Sequence, residues 1–205
     1  MNKDFIISSL STMIENPKCE LIYNSDYTLL IAILLSAQSL DKNVNKVTPI
    51  LFDKFPTLND LKNANINDII NIIKPVGLAN NKAKAIKELS TILVDKYNSK
   101  VPLDREILTT LPGIGIKTSG VFLVEFTNAN YLPVDTHIKR VSYRLNLTSE
   151  NDSVEKIEET LSNFFNNTNL AMLHQRLVLF GRYICKSKKP ECDKCKFKGK
   201  CLLTH

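Results

Sequence analysis

Four cysteines lie close together in this 205-residue chain, Cys185, Cys192, Cys195 and Cys201, in the spacing C-x6-C-x2-C-x5-C. Four thiolates so near in sequence can wrap one metal centre, and spacing alone does not separate tetrahedral zinc from an iron-sulfur cluster. Zinc is the default on general chemistry, and disulfides are the minor reading in a chain without secretion features. A centre with four protein ligands has no open position, which makes its role structural. Closing the loop over it would fix Lys186, Lys188 and Lys189 on one surface, where they can meet phosphates with strongly salt-dependent affinity; solvated surface lysines are the plain alternative. Cys19 stands apart and reads as a small buried residue.

A second constellation is Lys117 with Asp135. Lys117 ends the stretch Leu-Pro-Gly-Ile-Gly-Ile-Lys that starts at Leu111, and Asp135 opens Asp-Thr-His-Ile-Lys-Arg-Val. A lysine amine can attack an electrophilic carbon and form a Schiff base with a carbonyl group, provided it is neutral when it attacks. With an ordinary pKa of about 10.4, fewer than roughly one such amine in a thousand is neutral at pH 7. Desolvation and the positive end of a helix would help, and a nearby carboxylate would oppose them. Asp135 can stabilise a nearby positive charge or assist proton transfer, and it can equally cap the helix that starts at Thr136. His137, His174 and His205 show no metal-ligand spacing and receive no catalytic role.

These residues need elements to hold them. Leu103–Thr110 and the apolar residues Val121, Phe122, Val124 and Phe126 flank Pro112, Gly113 and Gly115, a pattern of helix, hairpin and helix. Glycine lets such a turn approach another molecule's backbone, and amides at the start of the second helix form an anion site that suits a phosphate; an ordinary interhelical turn is the alternative. Leu29–Leu35 is far shorter than the roughly 20 apolar residues that cross a bilayer. It predicts a core helix capped by Asp26, with Tyr27, Leu30, Ile31, Leu34 and Leu35 facing inward. Helical spacing recurs over 43–52, 58–64, 66–73, 82–97, 153–165 and 170–185, with breaks at Pro56, Pro75 and Gly77, and no stretch reads as a strand. The expected fold class is all-α.

The net charge is +6, with 22 lysines against five arginines. Part of that bias can reflect base composition of the genome. Its distribution says more, because seven lysines against Glu191 and Asp193 put a net +5 between Cys185 and Cys201. The opening residues contain Lys3 and Asp4 and no apolar core with a cleavage site, so a cytoplasmic protein is expected. No heptad seam is visible, and a monomer is expected.

Together, the hairpin with its lysine and the segment Val-Asp-Thr-His-Ile-Lys-Arg-Val resemble the active-site pair of the helix-hairpin-helix DNA glycosylases, and the lysine brings the likeness closest to the endonuclease III branch. The resemblance runs from about Tyr27 to Cys201. It implies a helical domain over residues 20–133 containing the hairpin, a second domain made of 1–19 and 134–205, and an active site in the cleft between them. It implies catalytic roles for Lys117 and Asp135, and DNA contacts through Gly113, Ile114 and Gly115. It turns the metal choice from zinc to a [4Fe-4S] cluster on Cys185, Cys192, Cys195 and Cys201. Gln38 would enter the space left by a flipped base and Leu78 would wedge between bases; a helix-end polar residue and a core leucine are the plain readings. Ile116 stands where many members carry a basic residue, which puts one phosphate contact in doubt.

The function so implied is base-excision repair of damaged double-stranded DNA: release of oxidised pyrimidines, then nicking of the abasic strand by β-elimination. A noncatalytic helix-hairpin-helix module that merely grips DNA needs neither Lys117 nor Asp135. A monofunctional glycosylase of the same fold would release the base without cutting the strand.

Overall fold

The computed structural model describes residues 1–203; His205 lies outside them. The described chain is helical, with no strand, as its periodicity predicts. No helix among these residues is long and apolar enough to cross a membrane. The chain forms two compact units: a central one, Cys19–Phe126, and an end unit that joins Met1–Lys18 to the chain from Thr127 on.

The central unit is built around α2 (Asp26–Ser36), whose residues from Thr28 to Leu35 are all buried. A helix apolar on every side belongs inside a core. Its cap is Ser25, not Asp26 as expected: Ser25 and Thr28 form a reciprocal capping box, which suits hydroxyls three residues apart. Asp26 sits one position inside, and its carboxylate accepts from the amides of Tyr27 at 2.7 Å and Val101 at 2.9 Å. Tyr27 is only half-buried, since its hydroxyl donates outward to the Pro56 carbonyl. Cys19 is likewise half-buried rather than buried.

Around α2 lie α3 (Asp41–Lys54), α4 (Leu58–Asn63), α5 (Ile66–Ile73) and α6 (Ala79–Tyr97). A 3-10 turn at Lys74–Val76 leads through Gly77 and Leu78 into α6. The last two helices are α7 (Arg105–Thr109) and α8 (Ile116–Thr127). The apolar pattern expected ahead of the hairpin narrows to Leu108, because Leu103 and Ile107 are exposed. Phe126 is exposed too, and lies stacked on buried Phe122 with ring centroids 5.4 Å apart.

The end unit contains α1 (Lys3–Met13), α9 (Thr136–Arg144), α10 (Val154–Phe164) and α11 (Leu170–Tyr183). Sequence reading did not find α1; its Ile6 and Leu10 are fully buried and it packs on α11. Ser153 caps α10 as expected. Phe197, between two of the clustered cysteines, is fully buried and meets Phe5 and Phe180 edge-on at 6.0 and 5.5 Å. Burying a phenylalanine contributes roughly 1.5–3 kcal/mol, so this ring pins the cysteine loop to the core.

Candidate functional site

Local chemistry shapes the hairpin of the central unit. Asp104 caps α7 through the Ile107 amide at 2.8 Å. The chain then turns so that the Ile114 amide donates to the Leu111 carbonyl at 3.1 Å. Leu111 and Ile114 bury their side chains while Gly113 and Gly115 stay exposed. Any contact by Ile114 with a ligand is therefore made by its main chain. Gly113 has φ +76, and a Cβ there would stand 2.8 Å from Leu34 Cδ1 and 2.9 Å from Ala85 Cβ; only glycine fits both the angle and the space. Space around Gly115 is open.

Lys117 is the second residue of α8, exposed beside exposed Ile116. It stands at the helix end where main-chain amides lack intrahelical partners and the dipole is positive. The hairpin thus joins an anion-attracting turn to a primary amine.

Gln38 and Leu78 occupy two loops of the same unit, at the end of α2 and the start of α6. Both side chains are exposed, and both residues take left-handed backbone, φ 55 and 50. Leu78 is 55% exposed, which excludes the core role that an apolar residue after Gly77 would ordinarily have. Left-handed backbone is uncommon away from glycine and costs about 1–3 kcal/mol, a mark of sites where placement matters.

In the end unit, Asp135 caps α9, with Oδ1 accepting from the Ile138 amide at 2.8 Å. The cap uses one carboxylate oxygen and leaves the second. His137 packs rather than facing solvent: the Gly181 backbone comes so close that a Cβ there would lie 2.8 Å from His137 Cβ. Burial holds the imidazole below its ordinary pKa, with the Asp135 charge opposing.

The four cysteines line a common cavity with Ile184, Pro190, Glu191, Lys198 and Leu203. Burial, followed by the neighbouring thiols Cys185, Cys201 and Cys192, pushes the Cys195 thiol up. Among the described residues no three His, Cys, Asp or Glu side chains are already gathered as metal ligands; the four cysteines line the cavity. Two arginines, unnoticed in the sequence, hold this segment. Arg144 Nη1 donates to the Lys186 carbonyl at 2.7 Å and lies 3.4 Å from Cys185 Sγ, and its Nη2 reaches the Ser187 carbonyl at 3.3 Å. Arg140 donates to the Gly181 carbonyl at 2.7 Å and the Cys185 carbonyl at 3.1 Å. The Phe197 amide adds a bond to Cys195 Sγ at 3.4 Å. Four soft thiols around one cavity, Cys185 buried and the other three half-buried, with N–H donors on Cys185 and Cys195, fit a thiolate-ligated metal centre.

The three lysines singled out in this loop differ. Lys186 is ion-paired with Glu191, whose carboxyl is held at about 2 by hydrogen bonds from Lys186 and Lys194. Lys188 and Lys189 are exposed on the surface of the loop.

Residues 31–167 match the HhH-GPD superfamily of base excision DNA repair proteins, and the chain belongs to that superfamily. It is a DNA glycosylase of base-excision repair. The chain is similar to endonuclease III of Rickettsia felis, 42% identical over 98% of this chain and 93% of that protein. With endonuclease III of Bacillus subtilis the identity is 36%, over 97% and 90% of the two chains. Among solved structures, a trapped endonuclease III–DNA covalent intermediate superposes with a TM-score of 0.93 at 38% identity, covering 98% of this chain and 96% of that one. A thermostable thymine-DNA glycosylase shares the fold, with a TM-score of 0.85 at 23% identity.

Proposed function

We propose that the protein is a bifunctional DNA glycosylase and abasic-site lyase that releases oxidised pyrimidines from double-stranded DNA and then cuts the strand. The observation that carries this reading is Lys117, a primary amine exposed on the first turn of the helix that follows the glycine hairpin. Support comes from the similar endonuclease III that has been trapped covalently on DNA.

In the proposed reaction Lys117 Nζ attacks C1′ of the damaged nucleotide. The bond from C1′ to the base breaks, the base leaves with the electron pair, and the sugar ring opens to a Schiff base. Loss of a proton from C2′ then expels the 3′ phosphate oxygen, which is the β-elimination, and water hydrolyses the imine to free the lysine. Asp135 stabilises positive charge developing on the sugar or assists transfer of the lysine proton. Gly113, Gly115 and the Ile114 main chain hold a DNA phosphate, while Gln38 and Leu78 occupy the duplex where the base has left.

Cys185, Cys192, Cys195 and Cys201 would hold a [4Fe-4S] cluster, a reading supported by the single cavity that all four line and by the family resemblance of their spacing. When bound, the cluster cross-links the loop and takes no part in the bond changes above. Lys188 and Lys189 on that loop contact phosphates. The protein acts as a cytoplasmic monomer.

Borohydride trapping on a duplex with one thymine glycol tests the reading. Wild type is expected to give a covalent adduct and a nicked strand, and Lys117→Ala neither. Base release without nicking or trapping would instead identify a monofunctional glycosylase. DNA binding without base release from any oxidised pyrimidine would leave only a gripping module.

A further inference from the structure

Lys82 is the fourth residue of α6 and only 6% exposed. Its ammonium donates to three main-chain carbonyls: Leu35 at 2.8 Å, Ala37 at 2.8 Å and Val76 at 3.1 Å. Three protons meet three acceptors, so the group is saturated. Its position is otherwise unfavourable, because burial removes water from a cation and the start of its own helix repels one; burial also holds its pKa below the ordinary lysine value. The far end of α2 compensates. Leu35 and Ala37 contribute carbonyls from the negative end of that helix, and bonds to a full charge are the strong ones.

The consequence is geometric. The Ala37 carbonyl belongs to the peptide group that leads into Gln38, and the Val76 carbonyl to the one that leads into Gly77, directly before Leu78. One side chain therefore grips both loops beside their left-handed residues. A neutral apolar residue would fill this space without the burial cost, but it would leave the two loops unconnected.

We infer that Lys82 is a positioning residue that locks the Gln38 and Leu78 loops in one fixed arrangement, so that both side chains meet the same site in the duplex. This rests on the reading of Gln38 and Leu78 as DNA-entering side chains. It predicts a role in recognising the damaged site and none in gripping ordinary DNA.

The test compares affinity for a duplex bearing an uncleavable tetrahydrofuran abasic analogue with affinity for the undamaged duplex. Lys82→Met is expected to lose at least tenfold of the preference for the abasic duplex and to bind the undamaged duplex as wild type does. In a Gln38→Ala/Leu78→Ala background the same change should have little further effect, since the groups it positions are gone. Lys82→Arg, which keeps the charge but cannot place three donors at one point, provides a gentler variant and should show the same selective loss. Equal weakening on both duplexes, or an undiminished effect of Lys82→Met in the double-variant background, would mark a purely structural lysine and overturn the inference. A silent Lys82→Met beside an impaired Gln38→Ala/Leu78→Ala overturns it alone. An unimpaired Gln38→Ala/Leu78→Ala protein refutes the loop reading, and the inference with it.

Discussion

At the scale of single residues, Asp135 is a helix cap with a proposed catalytic task, and substitution can separate the two. Asparagine is as good a helix cap as aspartate but carries no charge. Asp135→Asn is therefore expected to keep the melting temperature and lose most base release. Asp135→Ala should lose activity and about 1 kcal/mol of stability as well, measured by urea unfolding. The two hairpin glycines differ in the same way. Gly113→Ala must accept φ +76 and a contact 2.8 Å from Leu34 Cδ1, and is expected to cost about 1–3 kcal/mol. Gly115→Ala has open space around it, so its effect should be confined to DNA affinity. His137 supplies a pH dependence. Its folded pKa lies below the ordinary 6.5 because of burial, so the unfolded chain binds its proton more readily. Stability should fall as pH drops from 6.5 through that lower value; denaturant titrations across this range should show a slope that His137→Asn reduces.

At the scale of elements, the cysteine loop shows what sequence could and could not disclose. The four cysteines stand out because a metal centre would impose such spacing, and the hairpin because glycine and proline punctuate it. Arg140 and Arg144 do not, since what they hold, the carbonyls of Gly181, Cys185, Lys186 and Ser187, comes from distant chain. A weak signal existed: five arginines among 22 lysines suggest places where a planar, forked donor is required. Arg144→Lys is expected to speed bleaching of the visible absorbance that an iron-sulfur cluster would give. The cap of α2 was misassigned because Ser25 and Asp26 are adjacent and both suit the role; only the hydroxyl of Thr28 settles it. The helix α1 was missed because Ile6 and Leu10 gain meaning only against α11. Loop lysines invite a salt test. Lys188→Ala/Lys189→Ala should flatten the plot of log affinity against log salt by about 1.8, at 0.9 per lost phosphate contact. Lys186→Ala, whose ammonium is already paired with Glu191, should change it little.

At the scale of the whole molecule, two units share one chain in an uneven way. The central unit is a single continuous stretch, whereas the end unit is assembled from both sides of it. Removing the proposed metal centre should lower the melting temperature of the end unit, whose buried Phe197 is carried on the cysteine loop, and spare that of the central one; calorimetry before and after oxidative bleaching would show this. The interleaving also sets a timetable for biosynthesis. A ribosome adds about 5–20 residues each second, so α1 emerges many seconds before α11, the helix it packs on. Throughout that interval the face of α1 that packs on α11 has nothing to cover it. A nascent chain stalled after the central unit would hold a finished core and an unsheltered apolar helix, a form suited to chaperone capture and incapable of enclosing a metal.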